Sequence, residues 1–403
     1  MKVLIINKFL YPNGGSETYI FEIGKQLERM GHEVQYFGME HEGRIVGNHA
    51  ESYTSDMDFH SGKLQKLLYP FRIIYSVEAR KKLRRVLEDF GPDAVHLNNF
   101  NFQLTPSVIY AIKAYEKKHG KKITIIYTAH DSQLVCPNHL MQNPISGEAC
   151  TKCMESGLGN CVKDRCIHGS RSKSLLGAME GWLYKRLRTY GYIDKIICPS
   201  IFMKCRLQTE SALREKLVVM PNFINMEAVK GDIWEKENYI LYFGRYSVEK
   251  GIGTLLKACK KNDRIPFVFA GDGPLAGEVN SCSNIENRGF LKGNKLFDTI
   301  RKAQFTIIPS ECYENCPFSV MESIACKTPV LGADIGGIPE LIEQGVTGEL
   351  FHSGDETDLC NKIQKLWGEK KKLSEYSENC GAKRFDTVEA YCEKLLFLYQ
   401  GRD

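Results

Sequence analysis

Cations follow an apolar, strand-like run in the second half of the chain. Residues 239–243 read as a buried strand, and Gly244, Arg245 and Lys250 come soon after it. Arginine offers a planar fork of N–H donors and lysine a point charge, and both suit a diphosphate. Gly251 opens a predicted helix, whose N-terminal amides also attract anions. The junction therefore predicts a diphosphate site, and its alternative is a pair of solvated surface charges.

Two glutamates separated by seven residues form a second pattern. Glu314 precedes a predicted helix that carries Glu322, and Pro317 is expected in the first helical turn. Carboxylates offer several acceptor sites to vicinal hydroxyls. We expect Glu314 to bind a sugar and Glu322 to bind a ribose diol. The alternative for Glu322 is an acid on the helix surface.

The first half of the chain offers a glycine turn and a histidine. Gly14 and Gly15 let phosphates approach closely, and Ser16 or Thr18 is expected to cap the helix that follows. The turn lacks the GxGxxG spacing of a dinucleotide site, so it gives no support to an NAD enzyme. His130 follows another strand-like run, at the edge where parallel sheets bind ligands. Its alternative is a structural histidine.

Short apolar runs alternate with segments of helical period along most of the chain, which predicts parallel sheets covered by helices. The pattern breaks between Asn222 and Glu237, where polar residues show little periodicity. We therefore expect two sheet domains, at residues 1–222 and 237–385, and a C-terminal helix at 386–403 that packs back on the first domain. The crevice between the carboxyl ends of the two sets of strands is the expected ligand site.

Together and in this order, the motifs resemble glycosyltransferase family 4, whose members are retaining enzymes with the GT-B fold. The resemblance extends from Gly14 to Gly348, and its most specific element is the pair Glu314 and Glu322. The other matching motifs are Gly-Gly-x-Glu at 14–17, Thr-Ala-His-Asp at 128–131, Phe-Gly-Arg and Glu-Lys-Gly within 243–251, Gly-Asp-Gly-Pro at 271–274 and Gly-Gly-Ile-Pro-Glu at 336–340.

The resemblance implies a fold and a reaction. The fold is α/β, with two Rossmann-like domains facing across a cleft. The reaction is the transfer of a hexose or related sugar, with retention, from a UDP- or GDP-linked donor. The implied acceptor is a glycan or a lipid-linked molecule, in polysaccharide or glycolipid biosynthesis. Neither a cofactor nor a catalytic metal is required, because cations and helix-end amides stabilise the departing diphosphate.

The resemblance also implies the residues of the site. It implies catalytic roles for His130, Glu314, Arg245 and Lys250. It implies donor-binding roles for Gly14, Gly15, Gly244, Arg245, Lys250, Phe290, Leu291, Glu314, Asn315, Pro317, Phe318 and Glu322.

Other functions fit parts of the sequence. A sucrose-type synthase or a sugar phosphorylase acting on a soluble acceptor shares the fold, although no pyridoxal-phosphate lysine context is recognisable. A nucleotide-sugar-binding protein without turnover is disfavoured by the joint presence of Arg245, Lys250, Glu314 and Glu322. Nucleic acid is not an expected partner, because the formal net charge is only +5 and no reading module is identifiable.

Five of the 15 cysteines crowd into an insertion at about 136–168. Cys150, Cys153, Cys161 and Cys166 have the spacing of a structural zinc site, and Cys136 precedes them. Zinc would order a stretch that has little apolar content of its own. The alternatives are a loop of reduced thiols or disulfides formed on oxidation.

Neither a signal peptide nor an apolar run long enough to span a membrane is visible, so we expect a cytoplasmic chain. Residues 64–85 are rich in Lys and Arg, among them Lys66, Arg72 and Arg80, and also contain apolar residues. This stretch either docks on an anionic membrane surface at the inner face of the membrane or forms a solvated helix face with buried stems.

Overall fold

The structure is a computed structural model that describes residues 1–55, 72–231 and 235–402. The chain divides into two compact units. The first contains Met1–Ser146, Cys150–Pro221 and Val388–Asp403, and the second contains Gly147–Ala149 and Asn222–Thr387. Each unit has one parallel sheet covered by helices, which confirms the predicted α/β fold class.

The first sheet has six strands in the order β2-β1-β3-β4-β5-β6, and all of its strand pairs are parallel. The strands are β1 (Lys2–Ile6), β2 (Glu33–Phe37), β3 (Ala94–Leu97), β4 (Thr124–Thr128), β5 (Lys195–Cys198) and β6 (Leu217–Val219). The α-helices of this unit are Gly15–Arg29, Val77–Phe90, Ser107–His119, Lys152–Ser156, Gly159–Lys163, Arg171–Arg186, Ile201–Leu207 and Val388–Tyr399.

The second sheet also has six strands, in the order β12-β11-β10-β7-β8-β9. The strands are β7 (Ile240–Phe243), β8 (Phe267–Ala270), β9 (Ile285–Asn287), β10 (Thr306–Ile308), β11 (Val330–Ala333) and β12 (Gly348–Phe351). The α-helices of this unit are Met226–Val229, Ile252–Lys261, Ala276–Asn280, Gly293–Lys302, Phe318–Ala325, Ile338–Leu341, Glu356–Gly368 and Lys370–Ala382.

The central strands are short and almost wholly buried, because helices cover both faces of each sheet. All four residues of β3, β7 and β8 are buried, as are all residues of β10 and β11. Residues that favour capping stand at the ends of several helices. In the helix Val77–Phe90, for example, Ser76 accepts the N–H of Ala79 at the start and Gly91 takes a left-handed conformation at the end.

A buried hydrogen-bond network fixes the C-terminal helix Val388–Tyr399 to the first sheet. The hydroxyl of Tyr399 lies 2.6 Å from Nδ1 of His96, and Nε2 of His96 lies 2.7 Å from Oγ1 of Thr128. The hydroxyl of Tyr19 lies 3.1 Å from the same Thr128 oxygen and 3.0 Å from the hydroxyl of Tyr391. Burial lowers the pKa of His96 to about 3, so this network is uncharged at neutral pH.

No α-helix among the described residues is long and apolar enough to cross a membrane.

Candidate active site

The order of the second sheet identifies its ligand-binding edge. The connections run in one direction from β7 through β8 to β9 and in the other from β10 through β11 to β12. Ligands of open α/β sheets bind beyond the carboxyl ends of the strands at such a reversal. Gly244 follows β7 and Pro309 follows β10. The N–H groups of Glu311 and Cys312 donate to the carbonyl of Glu249 at 3.0 and 3.1 Å, so the two loops are joined at this edge.

Lys250 and Glu314 form an ion pair at this edge. The ammonium of Lys250 donates to Oε1 of Glu314, and the hydroxyl of Ser310 donates to the same oxygen at 2.9 Å. Burial lowers the pKa of Lys250, but Glu314, Cys312 and Glu249 together raise it by more, so the pKa lies above its ordinary value and the lysine is charged. Oε2 of Glu314 has no hydrogen-bond partner among the described residues and is available to sugar hydroxyls.

Two glycines with positive φ allow the backbones to come this close. Gly251 has φ +71°, and a Cβ there would lie 1.8 Å from the carbonyl oxygen of Pro309. Gly336 has φ +64°, and a Cβ there would lie 2.3 Å from the carbonyl oxygen of Glu314. The N–H of Gly337 donates to that same oxygen at 2.7 Å. The two glycine motifs therefore place Lys250 and Glu314, and neither tolerates a side chain without backbone movement.

Arg245 comes five residues before Lys250 in the sequence, and its side chain is exposed. It has no ion-pair partner among the residues that the structure describes. Its backbone is fixed, because the hydroxyl of Tyr242 donates to the Arg245 carbonyl at 2.8 Å. The next residue binds the Gly-Asp-Gly-Pro turn, since the N–H of Tyr246 donates to the carbonyl of Asp272 at 2.8 Å. The backbone of Arg245 is therefore fixed, while its guanidinium is exposed to solvent.

Asn315, Pro317 and Phe318 lie at the start of the helix Phe318–Ala325. Pro317 stands at the N-cap position, so its prediction in the first helical turn was wrong by one residue. The N-cap has no side chain that accepts a hydrogen bond, because proline cannot cap as serine or aspartate does. No side chain caps the first amides of this helix, and the N–H of Val320 donates to the carbonyl of Pro317 at 3.2 Å. An uncapped helix N-terminus can bind an anion.

Glu322 lies on the same helix and is only partly exposed. Its carboxylate has no hydrogen-bond or ion-pair partner among the described residues. Burial raises its pKa to about 7. Leaving a carboxylate half-buried and unpaired is costly unless a ligand supplies donors. The hydroxyls of a ribose would supply them.

Phe290 and Leu291 follow β9. Phe290 is 69% exposed, and the ammonium of Lys292 lies 5.1 Å from the centre of its ring. Leu291 is partly buried and packs against the core that contains Val320 and Phe243. An exposed aromatic ring at this edge offers a flat surface to a base.

In the first unit, the connections reverse between β1 and β3. Three asparagines follow these two strands: Asn7, Asn98 and Asn99. Asn7 follows β1, and its amide donates to Oε1 of the buried Glu17 at 2.9 Å. Oδ1 of Asn7 accepts the N–H of Asn99 at 3.0 Å. The amide of Asn99 donates to Ser16 at 2.9 Å. Glu17 of the Gly-Gly-x-Glu motif thus holds the glycine turn against the sheet.

Gly14 and Gly15 are exposed at the start of the helix Gly15–Arg29. Gly14 is the N-cap residue, and no side chain caps this helix. The prediction that Ser16 or Thr18 caps it was wrong. Ser16 is bonded to Glu17 and Asn99, and the hydroxyl of Thr18 instead donates to the carbonyl of Gly14 at 3.2 Å. No side chain among the described residues caps these amides, and an uncapped helix N-terminus can bind an anion.

His130 lies beyond the end of β4, next to the same edge. Its Nε2 lies 2.8 Å from Oδ1 of Asn98, whose amide donates to the carbonyl of His96, so Nε2 carries the proton. Burial lowers the pKa of His130 to about 3, which leaves a neutral ring with Nδ1 as an acceptor. The ring packs edge-on against Tyr19 at 4.9 Å. Its geometry suits hydrogen bonding to a sugar hydroxyl.

Sequence reasoning missed Asn98 and Asn7, which hold His130 and the glycine turn. Each of them comes directly after a buried strand, and this position was the signal that could have identified them. Asp131 is the remaining acid at this edge. Burial raises the pKa of Asp131 to about 6, although the N–H of Gln133 and the charge of Lys8 each lower it in part.

The basic stretch 64–85 lies partly outside the described residues, since residues 56–71 are not described. In the described part, Arg72 pairs with Glu78 at 2.6 Å and Arg80 donates to Tyr75 at 2.6 Å. The helix Val77–Phe90 buries its apolar residues in the core and exposes Lys81, Arg84 and Arg85.

Two family models match the chain in consecutive stretches. The model described as "Glycosyltransferase Family 4" matches residues 13–228. The model described as "Glycosyl transferases group 1" matches residues 225–383. An uncharacterized glycosyltransferase of Methanocaldococcus jannaschii is 31% identical over 212 residues, which are 50% of this chain and 57% of that protein. The match thus spans little more than half the length of this curated relative.

Solved structures resemble the whole chain at low identity. Sucrose-phosphate synthase of Thermosynechococcus elongatus has a TM-score of 0.70 at 16% identity, over 99% of this chain and 98% of that one. HepE of Anabaena, in complex with UDP, has a TM-score of 0.65 at 16% identity over 100% of both chains. At such identities the likeness establishes a shared fold.

Proposed function

We propose a reaction for this chain, which belongs to the GT-B glycosyltransferases described by the family 4 and group 1 models and is therefore a transferase enzyme. The reaction is the transfer of a hexose or related sugar, with retention, from a UDP- or GDP-linked donor to a lipid-linked glycan acceptor. The proposal for the donor rests on one observation, the arrangement of residues at the edge of the second sheet. There, Lys250 is paired with Glu314, which lies four residues before the uncapped helix Phe318–Ala325.

The charges of this edge match the leaving group. When the bond between the sugar C1 and the diphosphate oxygen breaks, negative charge develops on the diphosphate. Arg245, Lys250 and the first amides of the helix Phe318–Ala325 would stabilise that charge without reorganising. A solved relative in fold, HepE, binds UDP, which supports a diphosphate nucleotide as the ligand class.

The remaining side chains would orient the donor. Oε2 of Glu314 would accept sugar hydroxyl protons, and Glu322 would accept those of the ribose. Phe290 would stack on the base. In the first unit, the neutral His130, held by Asn98, would offer Nδ1 to a sugar hydroxyl. The acceptor oxygen attacks C1 on the face that the diphosphate leaves, and its proton passes to the leaving phosphate, so no carboxylate is needed as a base.

A lipid-linked acceptor is supported by an exposed apolar stripe on the helix Arg171–Arg186. Leu175, Met179 and Trp182 follow helical spacing and are 49%, 49% and 62% exposed. Arg171 and Arg186 lie at the two ends of the helix and are exposed. Apolar side chains flanked by cations are typical of helices that lie in the headgroup region of an anionic leaflet. We place the protein at the cytoplasmic face of such a membrane.

Flotation with vesicles tests this surface. Wild-type protein should rise with vesicles of phosphatidylglycerol and phosphatidylcholine at low salt, and Trp182→Ser should reduce the floating fraction severalfold. Phe397→Ser is the matched control, since Phe397 is an exposed aromatic residue of the same unit at 57% exposure. Flotation that is absent in wild type, or unchanged in Trp182→Ser, would reject the docking surface.

Product analysis tests the reaction. UDP- and GDP-linked hexoses are incubated with the protein, EDTA and a lipid extract of its source membranes. Release of one nucleotide that depends on the extract, with a product of the donor's anomeric configuration by NMR, is expected. An inverted product would contradict retention. Release that requires a soluble sugar or sugar phosphate instead would favour a sucrose-type synthase.

A further inference from the structure

A cavity lies in the first unit against the helix Arg171–Arg186. Its volume is about 60 Å³. One water molecule needs roughly 10–15 Å³ by this measure, so the cavity has room for several water-sized groups. Its walls come from the loop after β4, from this helix and the turn that follows it, and from the segment before β6. His130 is not among the residues that line it.

The cysteine-rich insertion contributes Cys136 and Leu158 to the wall of this cavity. The thiol of Cys136 already bonds to Oδ1 of Asn138 at 2.9 Å. The zinc site that the cysteine spacing predicted gains no support, because no three potential ligands in the described part of the chain are arranged to hold a metal ion. The chemistry of the cavity therefore depends on its other polar and aromatic side chains.

Glu180 brings a carboxyl group to this cavity. It is one of the lining residues and is only partly exposed. Its side chain makes neither a hydrogen bond nor an ion pair with any residue that the structure describes. Burial raises the pKa of Glu180 to about 8. A carboxyl group that is withdrawn from water without a partner is costly, and a ligand with hydrogen-bond donors would offset that cost.

Gln133 is a second polar side chain of this cavity that lacks a partner. It is 8% exposed, and neither the nitrogen nor the oxygen of its carboxamide has a hydrogen-bond partner in the described part of the chain. Its backbone is held, because its N–H donates to Asp131 at 2.9 Å. Buried polar groups are normally paired. Two unpaired polar side chains at one cavity therefore indicate an occupant that carries hydrogen-bonding groups.

The charges around the cavity favour a neutral occupant. The ammonium of Lys185 pairs with Glu210 at 2.6 Å, so these two lining charges offset each other. Arg188 also lines the cavity, and its exposed side chain has no partner among the described residues. An anion would meet the carboxyl group of Glu180, and a cation would meet the guanidinium of Arg188. A hydroxyl group suits both, because it donates to the first and accepts from the second.

The rest of the wall is aromatic and apolar. The rings of Tyr184 and Tyr190 have their centres 6.4 Å apart, and the hydroxyl of Tyr184 is held by the carbonyl of Ile74. The apolar lining residues are Leu134, Val135, Pro137, Leu158, Ala212 and Leu213. Sites for small molecules commonly combine such walls with a few polar groups that fix the orientation of the ligand. A sugar ring, with C–H faces and hydroxyl edges, matches this combination.

We propose that this cavity is a carbohydrate site that binds two vicinal hydroxyls of a pyranose ring. Glu180 accepts the proton of one hydroxyl. The carboxamide of Gln133, once turned toward the cavity, exchanges hydrogen bonds with the neighbouring hydroxyl. The ring packs a C–H face against Tyr190. Because the cavity is small, the ring enters by its hydroxyl edge and its remaining substituents stay outside.

The same helix carries the apolar stripe proposed to dock on a membrane. By helical spacing, Glu180 and Tyr184 share one face, and Met179 and Trp182 lie toward the opposite one. If the proposed function holds, on which this assignment of its source rests, the bound sugar belongs to the glycan of the lipid-linked acceptor. Binding of the sugar itself does not depend on the reaction.

Saturation-transfer NMR on the full chain tests the site. The probes are the methyl α-glycosides of glucose, mannose, galactose and N-acetylglucosamine, each of which has a vicinal diol. Wild type should transfer saturation to at least one of them. Glu180→Leu should bind that glycoside at least about tenfold more weakly, because the hydroxyl loses its acceptor. This variant should also unfold at a higher temperature than wild type, because it removes an unpaired carboxyl group.

Glu28→Leu is the matched control, since it makes the same change at an exposed glutamate on a helix of the same unit, and it should bind as wild type does. Saturation transfer to none of the four glycosides would show that water alone fills the cavity and would overturn the proposal. Equal binding in wild type and Glu180→Leu would overturn it as well. The wild-type measurement decides even where a variant fails to fold.

His130→Ala separates this proposal from the proposed function. It should keep the glycoside bound even where turnover falls, because His130 does not line the cavity. Glycoside binding that is lost in His130→Ala and kept in Glu180→Leu would assign the sugar to the edge of the first sheet and reject the cavity.

Discussion

The two sheets present different chemistry at equivalent edges. At the reversal of the second sheet, Lys250 is paired with Glu314 and Arg245 is exposed, and Glu322 has no partner within the described part of the chain. At the reversal of the first sheet, His130 is a neutral ring bonded to Asn98. The comparison indicates a division of work. The edge of the second sheet carries charged groups, which suit the proposed diphosphate, and the edge of the first carries neutral hydrogen-bonding groups, which suit sugar hydroxyls.

The largest expected effect comes from removing a charge of the second unit. Lys250→Met should lower turnover by about 10²–10³-fold, the usual cost of one electrostatic donor to a developing charge. Steady-state kinetics measures it. Lys257→Met is the matched control, because it removes the same charge from the helix Ile252–Lys261. The Lys257 side chain is 67% exposed, and its ammonium lies 3.8 Å from the carboxylate of Glu356. Equal turnover in both variants would remove Lys250 from the site.

A smaller effect is expected from the neutral edge of the first unit. His130→Ala should lower turnover at least about tenfold, the size of a lost orienting contact of about 1.4 kcal/mol. Nucleotide affinity should stay nearly unchanged, because the proposed nucleotide site is made by residues of the second unit alone. His119→Ala, a partly exposed histidine of the same unit paired with Glu88, is the control. If His130→Ala weakens nucleotide binding as much as turnover, the division between the units fails.

Glu322 should have the smallest effect on turnover and a measurable effect on stability. Burial raises its pKa to about 7 from the ordinary 4.5, so the folded state holds this proton more tightly than the unfolded state. The stability that the proton provides is complete below about pH 4.5 and is lost as the pH rises through about 7. Glu322→Gln should therefore be more stable than wild type at pH 8. At pH 5 this gain in stability over wild type should be smaller.

Urea unfolding at both pH values measures that difference, and nucleotide binding at pH 8 should weaken in the same variant. Glu278→Gln, at an exposed glutamate of the same unit, is the control and should show neither change. A Glu322→Gln variant that binds nucleotide as tightly as wild type would show that the unpaired carboxylate does not bind the ribose.

Much of the fold was predictable because the signals were local. Buried runs such as 239–243 and the punctuating glycines identified the strands and the loops after them. The edge strands β6 and β12 were missed. β6 has three residues and β12 begins with a glycine, so neither has the long apolar run that marks a central strand.

The charged residues of the second edge were also predicted, since Arg, Lys and Glu after a strand are visible in a sequence. Their pairing was not, because Lys250 and Glu314 are far apart in the chain and meet only through two glycine turns. The hydrogen-bond network of the first sheet was harder still to predict. His96 and Tyr399 are 303 residues apart in the chain, and nothing in the sequence indicates that they are bonded.

The most direct test of the charged edge is calorimetric titration of UDP, GDP and ADP into wild type and Arg245→Ala with EDTA present. Arg264→Ala, at an exposed arginine elsewhere on the second unit, is the control. We predict micromolar binding of one nucleotide without metal, lost in Arg245→Ala and kept in Arg264→Ala. Binding that is absent, that requires a divalent metal, or that ignores Arg245 would contradict the diphosphate site and with it the division between the two units.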